Sequence, residues 1–360
     1  MNAEKRLRVL IVDDSSVARD ILRSLLEEDA AIEVIAEACN GQEAIDLVQQ
    51  LRPDLVTMDL NMPVVSGLQA IEHIMHSKAV PILVVSNESD AQLAYEAINY
   101  GALEVMAKPS YDSEEAQNFI RQVRLLAGVP VITRMRRRPI EAPPVSFAPV
   151  QPLLTAEQHF NKVLVIASST GGPQALATLL PQFGRDFPAP ILIAQHISDG
   201  FIEGMAQWLS TLCPLTVKVA QEGERLRVGY VYLSPSEQHL TITAGHFVKL
   251  QQRKSTDIYH PSCDVLLSSV AEMYGRNAIG LIMTGMGRDG PEGMRAIYDR
   301  GGMTLAQDEA SSVIYGMNAE AVSRGVIRKE LALHEIAAEI LRLLDIGAAG
   351  YCSLPQRGLI

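Results

Sequence analysis

The chain has 360 residues, which at about 150 residues per domain suggests two domains plus linkers. Hydrophobic residues make up 48% and charged residues 20%, a balance that excludes wholesale disorder, and with aromatics at only 5% the cores must be built from Leu, Ile, Val, Ala and Met. The formal net charge of -11 argues against a nucleic-acid surface, and no run approaches the roughly 18 apolar residues of a membrane span.

The N-terminal MNAEKRLRVLIVDD passes from charge straight into a strand-like run, so no signal peptide is expected. Cys39, Cys213, Cys263 and Cys352 show neither metal nor disulfide spacing. The expectation is a reduced, cytoplasmic, monomeric protein with no nucleic-acid partner and no membrane insertion. Along residues 1–127, RVLIVDD, IEVIAEA, DLVTMDL, PILVVSN and LEVMAKP read as strands. Between them SSVARDILRSLLEEDA, GQEAIDLVQQLR, GLQAIEHIMHSKA and DAQLAYEAINYGA read as helices, and EEAQNFIRQVRLLAG closes the unit. Strict strand–helix alternation predicts a five-stranded parallel sheet, doubly wound, with helices on both faces.

Residues 128–158 break that pattern. Six prolines between Pro130 and Pro152, with Arg134 and Arg136 to Arg138, describe an exposed, semi-rigid tether. A second, larger α/β domain is expected over residues 159–348. Its strands are KVLVIA, APILIAQH, VGYVYLS, a hairpin LTITAG–HFVKLQ, NAIGLIMTG and MTLAQ, with the hairpin read as an antiparallel edge. QALATLLPQF, GFIEGMAQWLSTL, SCDVLLSSVAEMYG, EGMRAIYDRG and LHEIAAEILRLLD read as its helices, and residues 349–360 as a polar tail.

In open α/β sheets ligands sit beyond the carboxyl ends of the strands. There the first domain places Asp13 and Asp14 after strand one, Asp59 after strand three, Ser86 at the end of strand four and Lys108 after strand five. Any one acid in such a position is an ordinary turn former or helix cap; all five together predict a site. Clustered carboxylates repel, a hard cation such as Mg²⁺ relieves the repulsion, and a carboxylate can take a phosphoryl group as an acyl phosphate.

VLIVDDS, MDLNMP followed by SGL, VVSN and MAKP resemble the receiver domain of bacterial two-component response regulators. The resemblance implies that Asp59 is the phosphoacceptor and that Ser86 and Lys108 are switch residues. It implies Mg²⁺ held by Asp13, Asp14, Asp59 and the backbone carbonyl of Asn61, and a histidine kinase as phosphodonor. Ser66 replaces a usual Asp, and Val105 occupies a position that often carries a switching aromatic.

The second domain opens KVLVIASSTGGPQALATLL: strand, Ser168–Ser169–Thr170, Gly171–Gly172, then Pro173 at a first helical position. Such a serine lies at the positive end of a helix dipole. A simple Ser cap or a phosphate cradle would fit the same residues. His196 directly follows the strand APILIAQ, and Asp289 lies in the Gly-rich loop after NAIGLIMTG. Each alone is commonplace; together at three strand ends they form the set needed for nucleophilic catalysis, in which a base reaches the hydroxyl and an acid fixes the imidazole tautomer. The chain order Ser, His, Asp and the missing G-x-S-x-G elbow set this apart from the α/β-hydrolases. His239, His246 and His260 read as surface groups, Asp199 as a helix cap, and Asp308 and Glu309 as possible cleft residues.

ASSTGGPQAL, AQHISDGF and TGMGRDGPEGM, with HPSCDVLLSS and QDEASSVIYGMNAEAV, resemble the catalytic domain of the chemotaxis protein-glutamate methylesterase, or CheB, family. The resemblance implies Ser169 as nucleophile, His196 as general base, Asp289 as orienting acid and the backbone N–H of Met286 as an oxyanion-hole donor, with no cofactor for the ester hydrolysis. Ser168 and Ala167 stand where the family has Ala and Gly, and Asn318 where it has Pro. It further implies hydrolysis of glutamate methyl esters on methyl-accepting chemotaxis receptors, deamidation of receptor glutamines, and a receiver that covers the esterase cleft until phosphorylated. The rival reading is a phosphorylation-gated, non-catalytic binding module.

Overall fold

The computed structural model describes residues 6–131, 160–254 and 256–345. The basic, proline-rich part of the tether and the C-terminal tail lie outside the described residues. The chain divides into two compact units. The first takes in the described residues through 131 and the segment Ile197–Trp208, and the second takes in the others.

The first unit contains β1 (Leu7–Val12), α1 (Ser16–Glu27), β2 (Ile32–Ala38), α2 (Gly41–Leu51), β3 (Leu55–Met58), α3 (Gly67–Ser77), β4 (Ile82–Ser86), α4 (Ala91–Tyr100), β5 (Glu104–Ala107) and α5 (Ser113–Leu126). The five strands form one parallel sheet in the order β2-β1-β3-β4-β5. Every residue of β3 and β4 is buried, as expected of strands covered on both faces. Ser15, Asn40, Ser66 and Asp112 accept backbone N–H bonds at the starts of α1, α2, α3 and α5, each cap contributing about 1 kcal/mol. Ser66, which replaces an Asp, closes a reciprocal capping box with Gln69. From β1 the strand order runs outward in both directions, so a crevice opens at the carboxyl ends of β1 and β3.

The second unit is built on β6 (Val163–Ser168), α6 (Gly172–Leu179), β7 (Ile191–Gln195), the end of α7 (Ile202–Leu212), whose residues through Trp208 are counted with the first unit, β8 (Thr216–Val219), β9 (Tyr230–Leu233), β10 (Gln238–Thr243) and β11 (Phe247–Gln252). It continues with α8 (Cys263–Tyr274), β12 (Ala278–Ile282), α9 (Pro291–Asp299), β13 (Met303–Gln307), α10 (Met317–Ser323), β14 (Lys329–Leu331) and α11 (Leu333–Leu343). Seven strands form a parallel sheet in the order β14-β13-β12-β6-β7-β9-β8, with its switch of direction at β6.

The expected hairpin forms as the antiparallel pair β10–β11, but as a sheet of its own and not as an edge of the large one. Leu240, Ile242 and Val248 share a core cluster with Leu266, Leu267 and Val270 of α8, and Ser269 Oγ accepts the Ile242 N–H at 2.6 Å. The apolar side of the hairpin is therefore satisfied by a helix. The sheet edges β8 and β14 escape sequence reading. They are three or four residues long and carry Lys218, Lys329 and Glu330, which weakens the apolar signal and protects an open edge from pairing with another chain.

Candidate functional site

In the second unit, β6 and β7 pair in parallel with Ser168 opposite Gln195, so Ser169 and His196 are the next residues on neighbouring strands. The His196 N–H donates to Ser168 O at 3.0 Å, and the Ser169 N–H to Thr284 O, just beyond β12, at 3.1 Å. Three strand ends thereby converge on Ser169. Gly285 must be a glycine here, because a Cβ would lie 2.6 Å from Ser169 Cβ. At Gly172 a Cβ would fall 2.0 Å from Gln195 Oε1. Gln195 Nε2 donates to Ser169 O at 2.9 Å and to His196 O at 2.8 Å, and its Oε1 accepts from Ser168 Oγ at 2.6 Å. The hydroxyl of Ser168 is thus committed to Gln195, and one buried amide joins the two loops that carry Ser169 and His196.

His196 Nε2 lies 2.8 Å from Asp289 Oδ2, which leaves Nδ1 as the nitrogen available to the Ser169 proton. Among the described residues no hydrogen bond joins the Ser169 hydroxyl to the ring; catalytic bonds of this kind often tighten only once substrate is bound. The ring of Tyr259 stacks on the imidazole at 5.1 Å and 11°, and its hydroxyl accepts the Arg288 N–H at 3.2 Å.

Asp289 is buried and satisfied on both oxygens. Oδ2 also accepts the Cys263 N–H at 2.5 Å, while Oδ1 accepts Ser262 Oγ and the Asp264 N–H, each at 2.9 Å. These are first-turn groups of α8, so the positive end of that helix holds the carboxylate. Burial pushes the Asp289 carboxyl upward, but the His196 imidazole and these N–H donors outweigh it and keep its pKa below the ordinary carboxylate value. Neighbouring Asp264 is pushed up to about 6 by burial, and the charge of Asp289 adds to that despite N–H bonds from Gly293 and Gly290. The Met286 N–H donates to no protein acceptor among the described residues and follows Gly285, the residue packed on Ser169.

In the first unit, Asp13, Asp14 and Asp59 bring one carboxylate oxygen each within 4.8 Å of one another. Lys108 Nζ stands 2.6 Å from Asp13 Oδ2 and 3.2 Å from Asp59 Oδ1. Burial, with help from Asp13, raises the pKa of Asp59 in spite of Lys108. Burial opposes the charge of Lys108, yet the two aspartates raise its pKa. The Ser86 hydroxyl at the same rim is buried without a hydrogen-bond partner. Asn61 lies exposed two residues beyond Asp59, and Val105 is buried in β5.

Both units match known families. Residues 164–340 match the model of the CheB methylesterase and residues 9–121 that of the response regulator receiver domain. Over 355 residues, 97% of this chain and all of the relative, the sequence is 51% identical to a protein-glutamate methylesterase/protein-glutamine glutaminase of Paramagnetospirillum magneticum. The chain belongs to the CheB methylesterase family. A second relative of the same name, from Anaeromyxobacter dehalogenans, is 40% identical over 94% of this chain and 98% of its own length. The crystal structure of the Thermotoga maritima CheB methylesterase catalytic domain superposes with a TM-score of 0.50 and 34% identity, covering 51% of this chain and all of that one.

Several residues of this CheB site were invisible in the sequence. His239, expected at the surface, is buried: its Nδ1 accepts the Ser262 N–H at 3.0 Å and its Nε2 faces Asp257 Oδ2 at 3.0 Å. With Ser262 bound to Asp289, a chain of polar contacts runs from Asp257 to His196. The signal was present in HPSCD, where a Ser cap precedes a helix, but nothing in the order of residues aims that cap at residue 289. Asp308, considered for the cleft, instead accepts Ser311 N–H and Oγ in a local turn. Asn318, in place of a proline, donates to Gln307 O and Ser312 Oγ, both at 2.9 Å, and ties its loop to the end of β13.

Proposed function

We propose that this chain is a phosphorylation-regulated protein-glutamate methylesterase that hydrolyses glutamate methyl esters on methyl-accepting chemotaxis receptors and deamidates receptor glutamines. The observation that carries the reading is the imidazole of His196, hydrogen-bonded to buried Asp289 on one nitrogen and placed beside Ser169 by strand register. His196 Nδ1 takes the Ser169 proton as the oxygen attacks the ester carbonyl. The Met286 N–H supports the oxyanion, and the imidazolium returns its proton to the departing methanol. Water then cleaves the acyl-enzyme by the same steps in reverse. For a glutamine the leaving group is ammonia. Ser169, His196, Asp289 and Met286 are the residues assigned to this chemistry.

The receiver residues suit a hard divalent cation. Three carboxylates converge with only one cationic side chain bonded to them among the described residues, and the buried Ser86 hydroxyl awaits an acceptor. Asp13, Asp14, Asp59 and the Asn61 carbonyl would hold Mg²⁺, which when bound supplies charge neutralisation for phosphoryl transfer. Asp59 takes the phosphoryl group from a histidine kinase, Lys108 pairs with its oxygens and Ser86 hydrogen-bonds to it. The domain boundaries assigned are residues 1–127, 128–158, 159–348 and 349–360. No helix among the described residues is long and apolar enough to cross a membrane, and the assigned place of action is the cytoplasm.

Methanol release from methylated receptor tests the reading. Release should vanish in Ser169→Ala and should rise with a phosphodonor in the native chain but not in Asp59→Asn. Release undiminished in Ser169→Ala overturns the enzyme, and phosphodonor activation surviving in Asp59→Asn overturns the regulation.

A further inference from the structure

Ester hydrolysis uses two of three groups that meet on one wall of the esterase crevice. The third is the thiol of Cys263. His196 Nε2, Cys263 Sγ and an Asp289 oxygen lie within 4.8 Å of one another, with Sγ 3.5 Å and Oδ2 2.8 Å from Nε2. Around a tetrahedral zinc ion with Zn–S of about 2.3 Å and Zn–N and Zn–O of about 2.0–2.1 Å, nitrogen and sulfur ligands stand about 3.5 Å apart and nitrogen and oxygen about 3.4 Å. The nitrogen–sulfur pair already has that spacing. The nitrogen–oxygen pair must open by about half an ångström, as a hydrogen bond does when a metal takes its place.

The surroundings favour the same ligand. Ser262 Oγ and the N–H groups of Cys263 and Asp264 hold the Asp289 carboxylate independently of His196, so it stays in place if the imidazole contact is exchanged. Cys263 is fully buried at the start of α8, while the His196 side chain keeps 14% of its surface open to solvent, the side from which an ion would enter and a solvent water would complete the set. A sulfur–nitrogen–oxygen set selects zinc or cadmium over Mg²⁺, which requires oxygen ligands.

We propose that His196, Cys263 and Asp289 form an inhibitory site for a soft divalent cation, zinc foremost. On binding, the thiol proton leaves to solvent and the ring proton moves from Nε2 to Nδ1. A neutral imidazole coordinated through Nε2 has no lone pair on Nδ1, so His196 cannot accept the proton of Ser169. Zinc thereby silences the base without touching the nucleophile. This consequence rests on the esterase reading; the binding itself does not.

Two measurements on the full chain test the site. Cadmium should give a thiolate-to-metal absorption band at one equivalent. The band should be lost in Cys263→Val, and in His196→Ala the cadmium affinity should fall at least about tenfold. Carboxylates of the receiver cannot produce such a band, and its exposed thiol, Cys39, is removed as Cys39→Ser in every protein compared. Zinc should suppress methanol release reversibly on chelation, and in Cys263→Val the half-inhibiting concentration, read against that variant's own zinc-free rate, should rise at least about tenfold. A cadmium band undiminished in folded Cys263→Val overturns the site, as does zinc that leaves the native turnover unchanged. Should the native chain release no methanol at all, the esterase reading fails alone and the cadmium band still decides the site.

Discussion

The two units place their chemistry by the same rule, at the carboxyl ends of parallel strands where the sheet changes direction, yet they treat a buried carboxylate in opposite ways. In the receiver, Asp13, Asp14 and Asp59 crowd one rim, where Lys108 is the only cationic side chain bonded to them among the described residues, and burial raises the pKa of Asp59. In the esterase, Asp289 is surrounded by four donors and its pKa is lowered. Under-compensated charge calls for a cation and a phosphoryl group, so the first rim can respond to a signal. Fully compensated charge fixes a ring nitrogen, so the second rim can move a proton. What separates the two rims on these similar sheets is how far the charge of the buried acid is compensated.

The sharpest way to break that comparison is to remove the Ser169 hydroxyl, the proposed nucleophile. Ser169→Ala should lower turnover at least about a thousandfold, whereas Ser168→Ala, which loses only the bond to Gln195, should cost less than about tenfold. A serine-directed acylating probe should likewise label Ser168→Ala and not Ser169→Ala; equal labelling of both would move the nucleophile elsewhere. In the receiver, Asp59→Asn should abolish phosphoryl uptake from a small-molecule phosphodonor, measured by phosphoprotein gel, and Ser86→Ala should slow it.

Smaller changes probe the donors of Asp289. Ser262→Ala removes one of them together with the cap of α8, and should lower kcat severalfold with KM little changed and lower stability by about 1 kcal/mol. His239→Ala strands the half-buried Ser262 N–H and should cost about 1–3 kcal/mol, read by denaturant unfolding. If both variants keep native kcat, the contacts from Asp257 to Asp289 are structural alone.

The smallest effect is one of pH. Asp264 sits near 6 in the fold against an ordinary carboxylate value of 3.8, so the fold binds its proton more tightly than the unfolded chain does. Its contribution favours the fold below about pH 4 and is lost as pH rises through about 6. Asp264→Asn keeps an acceptor for the Gly290 and Gly293 N–H groups without the titration. The melting temperature of this variant relative to the native chain should therefore rise between pH 4 and 6; a flat difference would remove the upward shift of Asp264, caused first by burial and then by the charge of Asp289, from the account.

How much was legible depended on how far apart in sequence the partners stand. Asp13, Asp59 and Lys108 announced themselves because each directly follows an apolar strand, and a parallel sheet brings such ends together whatever the details. Ser169 and His196 were legible for the same reason. The buried position of His239 was not, since β10 reads as an ordinary hairpin strand, and its burial follows from docking that hairpin on α8. Gln195 looked like the polar end of a strand until Gly172 was seen to press against it.

By itself the sequence determined the two α/β units, the parallel order implied by strand–helix alternation, and the residues at the strand ends, because periodicity and strand termini are local properties of the chain. Only the tertiary structure decided which nitrogen of His196 meets the acid, that α8 supplies the donors for Asp289, that the hairpin stands apart from the main sheet, and that the Cys263 thiol lies against the His196 imidazole. Those are contacts between segments tens of residues apart. Their distances follow from how helices and sheets pack, and no pattern along the backbone encodes them one residue at a time.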